Sequence, residues 1–200
     1  MKTFVKYAAL TLSAIALSSC ATGPKLAPAG VYTAGSIAVD LKSDWNAIPI
    51  KTGKRQKSTL LTKDGPMLNA VYLFHDLKSG DSLLRERRRE NPVPKFDLEL
   101  SDLELAEFLM DSLSKGSGYT AMETSNMRPD TFNGEDAIRF EISGKTEQGL
   151  NMEGSALLGV IDDTLNIILY MAPSEYYAQK DRADIDAIFR IEGDSADLIK

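Results

Sequence analysis

Cysteine is nearly absent from this sequence, because Cys20 is the only one in 200 residues. It has no second cysteine to pair with, so disulfides within the chain are excluded as a source of stability. Histidine is equally scarce, and His75 is the only one. Zinc sites need three or four protein ligands, whereas histidine and cysteine offer one each here. The sequence therefore predicts neither a metal site nor another cofactor.

Motifs for common catalytic and ion-binding sites are missing as well. No Gly-x-Ser-x-Gly elbow is present to position a serine nucleophile, so His75, followed by Asp76, is interpreted as a strand-end residue without a chemical role. Asp162 and Asp163 are interpreted as a hairpin turn, since an EF-hand loop needs further oxygen ligands at fixed spacing. The 29 acidic residues outnumber the 23 basic residues, which disfavours general binding of nucleic acid.

Residues 1–19 have the layout of a secretory signal peptide. Lys2 and Lys6 give a positively charged start, and an apolar run follows at residues 8–17. Small residues then lead to Cys20. The apolar run is too short to span a membrane, because spanning needs roughly 20 apolar residues. The segment is therefore predicted to direct export and not to form part of the mature fold.

The motif Leu17-Ser18-Ser19-Cys20 resembles a bacterial lipobox. This resemblance implies cleavage before Cys20 and attachment of acyl chains to that residue, which makes Cys20 a membrane anchor. Each buried methylene contributes roughly 0.8 kcal/mol, so one chain anchors marginally and two or three anchor durably. Ala21 follows Cys20 at the position where aspartate commonly retains such proteins at the inner membrane. The resemblance thus implies an outer-membrane location facing the periplasm.

The rest of the chain is predicted to form one domain between two less ordered segments. Residues 20–34 are rich in small residues, proline and glycine, so they are predicted to be a flexible tether. Val31 and Tyr32 could nevertheless dock onto the domain as an edge. Residues 35–192 are long enough to bury a sizeable core and are predicted to be a single domain. Residues 193–200 are predicted to be a polar tail.

Alternating or continuous apolar residues predict a series of strands. The predicted strands are residues 37–41, 58–62, 70–74, 119–124, 138–142, 156–161 and 165–171. Residues 70–74 are apolar at successive positions, which is typical of a central strand covered on both faces. Asn133-Gly134 is a signal for a tight hairpin. The short connections between the last strands predict antiparallel pairing, because parallel strands need long crossovers.

Two helical regions interrupt or follow these strands. Ser101 and Glu104 match a capping box, which predicts a helix that runs to about Ser114. Its predicted buried stripe consists of Leu103, Leu105, Ala106, Leu109, Met110 and Leu113. Phe108 falls outside this stripe, so it is predicted to cover the sheet edge or, less favoured, to meet a partner. A second helical region begins near Pro173, and Asp181 is predicted to cap its final part.

The order of predicted elements indicates an α+β fold in which helices pack on a central, mainly antiparallel sheet. Four segments carry a further likeness: residues 37–45, the turn Thr62-Lys63-Asp64-Gly65, the hairpin 133–140 and the helix 173–189. In these segments the chain resembles the PsbP-like superfamily, whose fold is an α/β/α sandwich. The resemblance implies a non-enzymatic adaptor or assembly factor, because members of this superfamily act by binding other proteins. It identifies no binding residue here.

Two features could serve either structure or function. The only tryptophan, Trp45, is predicted to close one end of the core with its indole N–H hydrogen-bonded, in preference to forming a binding platform. A short basic run is interpreted mainly as a solvated loop. Its functional alternative is an anion-binding patch for lipid headgroups, lipopolysaccharide or an acidic partner, since guanidinium groups can bind phosphate through two hydrogen bonds. The arginines of that patch are Arg85, Arg87, Arg88 and Arg89.

Two hypotheses for function follow from these observations. The first is a membrane-anchored envelope lipoprotein that acts as a non-catalytic binding or assembly module for a periplasmic protein or envelope component. The second is a hydrolase or transferase that acts on cell-wall or lipid substrates through paired carboxylates. Its candidate residues are Asp64, Asp76, Glu99 and Glu123. A cleft in which two carboxylates converge would distinguish the second hypothesis from the first.

Overall fold

The computed structural model describes residues 23–55 and 58–190, and these residues form ten strands and three α-helices. The strands are β1 (Lys25–Ala27), β2 (Gly30–Ala34), β3 (Ile37–Leu41), β4 (Trp45–Ile50), β5 (Ser58–Thr62), β6 (Ala70–Lys78), β7 (Thr120–Phe132), β8 (Glu135–Lys145), β9 (Asn151–Ile161) and β10 (Thr164–Pro173). The helices are α1 (Asp102–Ser112), α2 (Tyr177–Lys180) and α3 (Arg182–Ile188). A π-helical turn, Leu113–Ser117, follows α1.

Eight of these strands form one antiparallel sheet in the order β1-β4-β5-β6-β10-β9-β8-β7. Strands β2 and β3 pair separately as a hairpin. Nearly every residue of β10 is buried, because β10 lies in the middle of the sheet and is covered on both faces. The large antiparallel sheet with a few helices confirms the predicted α+β class.

The two faces of the sheet bury separate hydrophobic cores. On one face, α1 packs over the sheet with Phe140 and Leu158 at the centre of the buried cluster. On the other face, the β2–β3 hairpin and helix α3 cover a cluster that contains Trp45, Leu157 and Phe189. The resulting order of layers is helix, sheet, and then a mixed layer of hairpin and short helices.

Helix α1 begins where the capping box predicted. The Glu104 carboxylate accepts hydrogen bonds from the Ser101 hydroxyl at 2.6 Å and from the Ser101 N–H at 2.8 Å, and these bonds lower the pKa of Glu104. The predicted buried stripe was wrong at two positions. Leu103 is 58% exposed, whereas Phe108 is buried and contacts the ring of Phe96. The stripe is rotated toward Phe108 because Phe96, in the preceding loop, supplies a partner that the helical periodicity alone does not show.

The segment that precedes the first predicted strand is part of the sheet. Strand β1 pairs with β4, and Ala27 at its end is completely buried. Strand β2 pairs with β3, so Val31 and Tyr32 lie along an edge, which was the stated alternative to a flexible segment. The predicted tether over residues 20–34 is therefore wrong for residues 25–34. Composition did not show this, because main-chain pairing to β3 and β4 orders a segment whose own side chains are small.

Burial of Ala27 predicts that this position is intolerant of charge. An Ala27→Asp variant is expected to lose about 2–4 kcal/mol of unfolding free energy, because an unpaired carboxylate would enter the core. Urea unfolding followed by circular dichroism measures this loss. The matched control is Leu26→Asp, since Leu26 is 67% exposed on the same strand. Equal midpoints for the two variants would mean that β1 does not contribute to the stability of the domain.

Several sequence predictions lie outside the described residues. These are the signal peptide at residues 1–19, the anchor at Cys20 and the polar tail at residues 193–200. Within residues 23–55 and 58–190, no helix is both long enough and apolar enough to cross a membrane.

Candidate functional site

A groove of about 470 Å³ lies on the sheet face that carries helices α2 and α3. Strands β8 and β9 form its floor through Glu141, Ser143, Glu153 and Ser155. Strand β7 and helix α3 provide side chains along its two sides. These residues are Ser125 and Arg128 from β7, and Arg182, Ile185 and Asp186 from α3.

The polar floor arises from the alternation of strand β8. Ile138, Phe140 and Ile142 point into the core beneath α1. Arg139, Glu141 and Ser143 therefore point to the opposite face, because successive side chains of a strand alternate between faces. The sequence showed this alternation. It did not show that the C-terminal helices border the polar face and turn it into a groove.

Arg139 holds one end of the groove in place. Its guanidinium lies 3.6 Å from the Asp130 carboxylate and donates a hydrogen bond to the Phe189 carbonyl at 3.4 Å. The same group lies 4.8 Å from the centre of the Phe189 ring, a cation–π distance. Arg139 thus joins the sheet to the end of helix α3, and its side chain is only 15% exposed.

Tyr170 borders the groove between the sheet and helix α2. Its hydroxyl donates a hydrogen bond to the Tyr177 carbonyl at 3.1 Å, and its side chain is almost completely buried. Burial raises the pKa of Tyr170, and the nearby Asp181 carboxylate adds to the increase. Gly154 lies beside it, where a Cβ would come within 2.0 Å of the Tyr170 carbonyl oxygen, so glycine allows β9 to approach β10 closely.

Several polar side chains of the groove have unused hydrogen-bonding capacity. The side chains of Glu141, Glu153 and Arg182 form no hydrogen bond or salt bridge with any residue in the described part of the chain. The same holds for the three serine side chains, Ser125, Ser143 and Ser155. Arg128 donates one hydrogen bond, to the Asn126 carbonyl at 3.0 Å. These unpaired polar groups lie around one open volume, where they can form hydrogen bonds and ion pairs with a polar ligand.

The predicted arginine patch lies apart from this groove, on the exposed loop after β6. Arg87 is bound by Glu147 through two hydrogen bonds of 2.8 and 3.2 Å. The hydrogen bond from Arg87 lowers the pKa of Glu147, and the charges of Arg87 and Arg88 contribute. Arg85, Arg88 and Arg89 are exposed. The patch therefore offers fewer free arginines than the sequence suggested, because one of them is already paired with a carboxylate.

The four candidate carboxylates are on separate elements. Asp64 lies in the turn after β5 and contacts Lys180 at 2.5 Å, and this hydrogen bond lowers its pKa. Asp76 lies near the end of β6, Glu99 in the loop before α1, and Glu123 on the edge strand β7. None of the four is among the lining residues, but Glu123 lies opposite Ser143 of the groove floor. The groove has carboxylates of its own, which sequence reasoning missed because strand alternation alone marks them only as outward-facing.

His75 and its neighbours form a polar cluster beside the β2–β3 hairpin. His75 Nδ1 lies 2.8 Å from the Asp76 carboxylate. The Ser36 hydroxyl donates to Asn166 Oδ1 at 2.6 Å, and the Asp76 N–H donates to the same oxygen at 3.0 Å. Asn166 is completely buried, so the cluster joins the hairpin to strands β6 and β10. In this arrangement the Ser36 hydroxyl is directed to an amide oxygen.

Two further predictions concern a turn and a core residue. Asp162 and Asp163 both have positive φ, 48° and 59°, and they connect β9 to β10 as the turn that was predicted. Trp45 is buried in the core, as predicted. Its indole N–H has no hydrogen-bond partner among the described residues, so the predicted hydrogen bond is wrong. The ring instead contacts the Lys63 ammonium group, 4.8 Å from its centre.

Metal binding has no obvious location in the described part of the chain. Within residues 23–55 and 58–190, no group of three or more histidine, cysteine, aspartate or glutamate side chains is placed to hold an ion. The carboxylates that line the groove are accompanied by arginines, so the positive and negative charges of the lining are close to balanced.

Comparison with known proteins gives a likeness to solved structures. No protein-family model matches the chain, and no curated protein is similar to it. The fold is similar to that in a crystal structure of LpqN, which is involved in cell envelope biogenesis of Mycobacterium tuberculosis. The TM-score is 0.36 and the sequence identity is 10%, over 88% of this chain and 86% of that chain.

Proposed function

We propose that this chain is a lipid-anchored protein of the cell envelope whose groove binds another envelope component without transforming it chemically. The observation that supports binding is the groove itself, where side chains of both charges and three hydroxyls have no partner in the described part of the chain. These groups give the concave surface hydrogen-bonding capacity for a polar ligand.

The proposed anchor is Cys20, through the lipobox resemblance of Leu17-Ser18-Ser19-Cys20. Only residues 21–24 separate Cys20 from strand β1, so the two are at most about 18 Å apart even in a fully extended chain. Acylation would therefore keep the sheet edge at β1 near the bilayer. We place the protein at the outer membrane, facing the periplasm, because Ala21 replaces the aspartate that commonly retains such proteins at the inner membrane.

Assignment to the PsbP-like superfamily is part of the same proposal. The layered arrangement of helices on an antiparallel sheet is compatible with the α/β/α sandwich that the resemblance implies. Fold alone does not determine function. The resemblance supports a binding role only together with the groove.

The catalytic alternative has less support from the geometry. Its four candidate carboxylates are on separate elements, and the pKa of Asp64 is lowered by Lys180, whereas a general acid needs a raised pKa. We therefore propose a non-catalytic role. New products formed from purified envelope fractions during incubation with the protein, and detected by mass spectrometry, would contradict this part of the proposal.

Photocrosslinking in living cells tests the binding role. The full-length protein would carry p-benzoylphenylalanine in place of Ser143, which is exposed on the groove floor. The matched control carries it in place of Leu103, which is exposed on α1 at the opposite face. We expect an adduct with a specific envelope component from the groove position alone. Identical adducts from both positions, or none from Ser143, would contradict a binding role for the groove.

A further inference from the structure

Charges follow an order along the groove floor. Arg128 of β7 lies opposite Arg139 of β8. One level further along, Glu141 lies between Ser125 and Ser155 on the neighbouring strands. At the next level, Ser143 of β8 lies between Glu123 of β7 and Glu153 of β9. Levels two residues apart are separated by about 7 Å, so the arginine level and the Glu153 level are about 14 Å apart.

The groups available to a ligand differ between the two ends. Arg139 is engaged by Asp130 and Phe189, which leaves Arg128 as the available cation at the arginine level. Glu141 and Glu153 have no partner among the described residues, so both carboxylates remain available at the other levels. On α3, Asp186 lies 3.9 Å from Arg190, whereas Arg182 has no partner among the described residues, so this helix adds one available cation.

This lining disfavours three classes of ligand. A phosphate or another simple anion could pair with Arg128, but it would leave Glu141 and Glu153 without a partner and be repelled by them. An apolar ligand would leave the charged floor without water or partners, which is costly. A sugar commonly stacks on an exposed aromatic ring, but Tyr170, the aromatic residue in the lining, is 4% exposed and its hydroxyl is already bonded.

We propose that the groove binds a short extended peptide that carries both an ammonium and a carboxylate group. The ammonium group contacts Glu141 and Glu153, and the carboxylate contacts Arg128 through a charge-assisted hydrogen bond. The arginine level lies about 7 Å from the Glu141 level and about 14 Å from the Glu153 level, and an ammonium group between the two carboxylates requires about three to four extended residues. The serine hydroxyls pair with the peptide backbone. This inference deepens the proposed function by naming its ligand class, and it depends on that proposal only for the envelope setting.

The test uses tetra-alanine as the probe and the full chain, purified in detergent and labelled with nitrogen-15. Two-dimensional NMR titrations compare the peptide with free termini, an N-acetylated form and a C-amidated form. We expect the free peptide to shift the amide signals of Ser125, Ser143 and Ser155. Each capped form is expected to bind about tenfold more weakly, because it loses one charge-assisted contact.

Variants assign each peptide terminus to an end of the groove. In the triple variant Glu123→Gln, Glu141→Gln and Glu153→Gln, the free and N-acetylated peptides are expected to bind equally, because every carboxylate at the two acidic levels is gone. In Arg128→Gln, the free and C-amidated peptides are expected to bind equally. Glu107→Gln is the matched control, since Glu107 is exposed on α1 at the opposite face and is expected to leave all three affinities unchanged.

Two results would overturn the inference. One is an absence of groove shifts with the free peptide at millimolar concentration. The other is equal affinity of the free and capped peptides for the unmodified protein. If a specific groove adduct forms in cells while tetra-alanine does not bind, the proposed function stands and the peptide class is wrong. If the peptide binds as expected while no envelope adduct forms, the ligand class stands and the envelope role fails.

Discussion

A Cys20→Ala variant is expected to lose its acyl chains and to keep its signal peptide. The proposed anchor consists of two or three acyl chains on this residue, because a single chain binds a bilayer only marginally and reversibly. Without a cysteine there is no thiol to accept the diacylglyceryl group, so cleavage at this site should also fail. Immunoblotting of fractionated cells measures the uncleaved protein as a form of higher mass. Mass spectrometry of the N-terminal peptide measures acylation directly.

A neighbouring substitution separates the lipid from the motif. Ser19→Ala keeps a small residue before Cys20, so this control is expected to remain cleaved, acylated and membrane-bound. A Cys20→Ala protein that stays in the membrane fraction with unchanged mass would show that residue 20 carries no anchor. The envelope part of the proposed function would then fail, whereas the proposal that the groove binds a ligand would be unaffected.

An Asn69→Ala variant is expected to lose about 3–5 kcal/mol of unfolding free energy. Asn69 is completely buried, and its side chain joins the turn after β5 to the start of α3. Its Oδ1 accepts hydrogen bonds from the Thr62 hydroxyl and from the N–H groups of Lys63 and Asp64. Its Nδ2 donates to Asp64 at 2.9 Å and to the buried Asp181 at 2.8 Å.

The expected loss is large because several buried groups lose their partners at once. A buried donor or acceptor without a partner costs about 1–3 kcal/mol, and a buried charge costs more. Lys63 still contacts Asp181 at 3.7 Å, which limits the effect on that carboxylate. For a domain of this size the loss corresponds to a decrease in Tm of roughly 10 °C. Thermal and urea unfolding followed by circular dichroism measure it.

The control for this variant is Asn91→Ala, because Asn91 is exposed in the loop before α1. Its midpoint should be close to that of the unmodified protein. A double variant with Asp181→Ala adds a coupling test, in which the combined loss should be smaller than the sum of the two single losses. Additive losses, or an Asn69→Ala midpoint equal to that of the control, would contradict the role of Asn69 in joining α3 to the sheet.

Local patterns predicted most of the regular structure. Alternating apolar residues predicted β3 and β8, and the capping box at Ser101 predicted the start of α1. Both signals depend only on residues that are close together in the chain. Predictions failed where a distant partner decided the outcome. Phe108 is buried because Phe96 packs against it, and residues 25–34 are ordered because β3 and β4 pair with them.

The candidate site was predicted only in its components. The alternation in β8 predicted that Arg139 and Glu141 lie on the face opposite the apolar residues of that strand. Such alternation occurs in any strand with one buried face, so it does not identify a site. The catalytic hypothesis selected Asp64 and Glu123, which lie outside the groove. Linear spacing cannot identify residues that meet across three strands and a helix, because their proximity depends on strand order and register.

The sequence by itself determined the α+β class, the alternation of strand β8 in the groove floor, and the short motif from which an anchor at Cys20 is proposed. Tertiary structure alone decided that β1 and β2 belong to the domain and that helix α3 borders a polar sheet face. The physical reason is the range of the interactions involved. Periodicity and capping act between near neighbours, whereas strand pairing and helix docking join residues far apart in the chain.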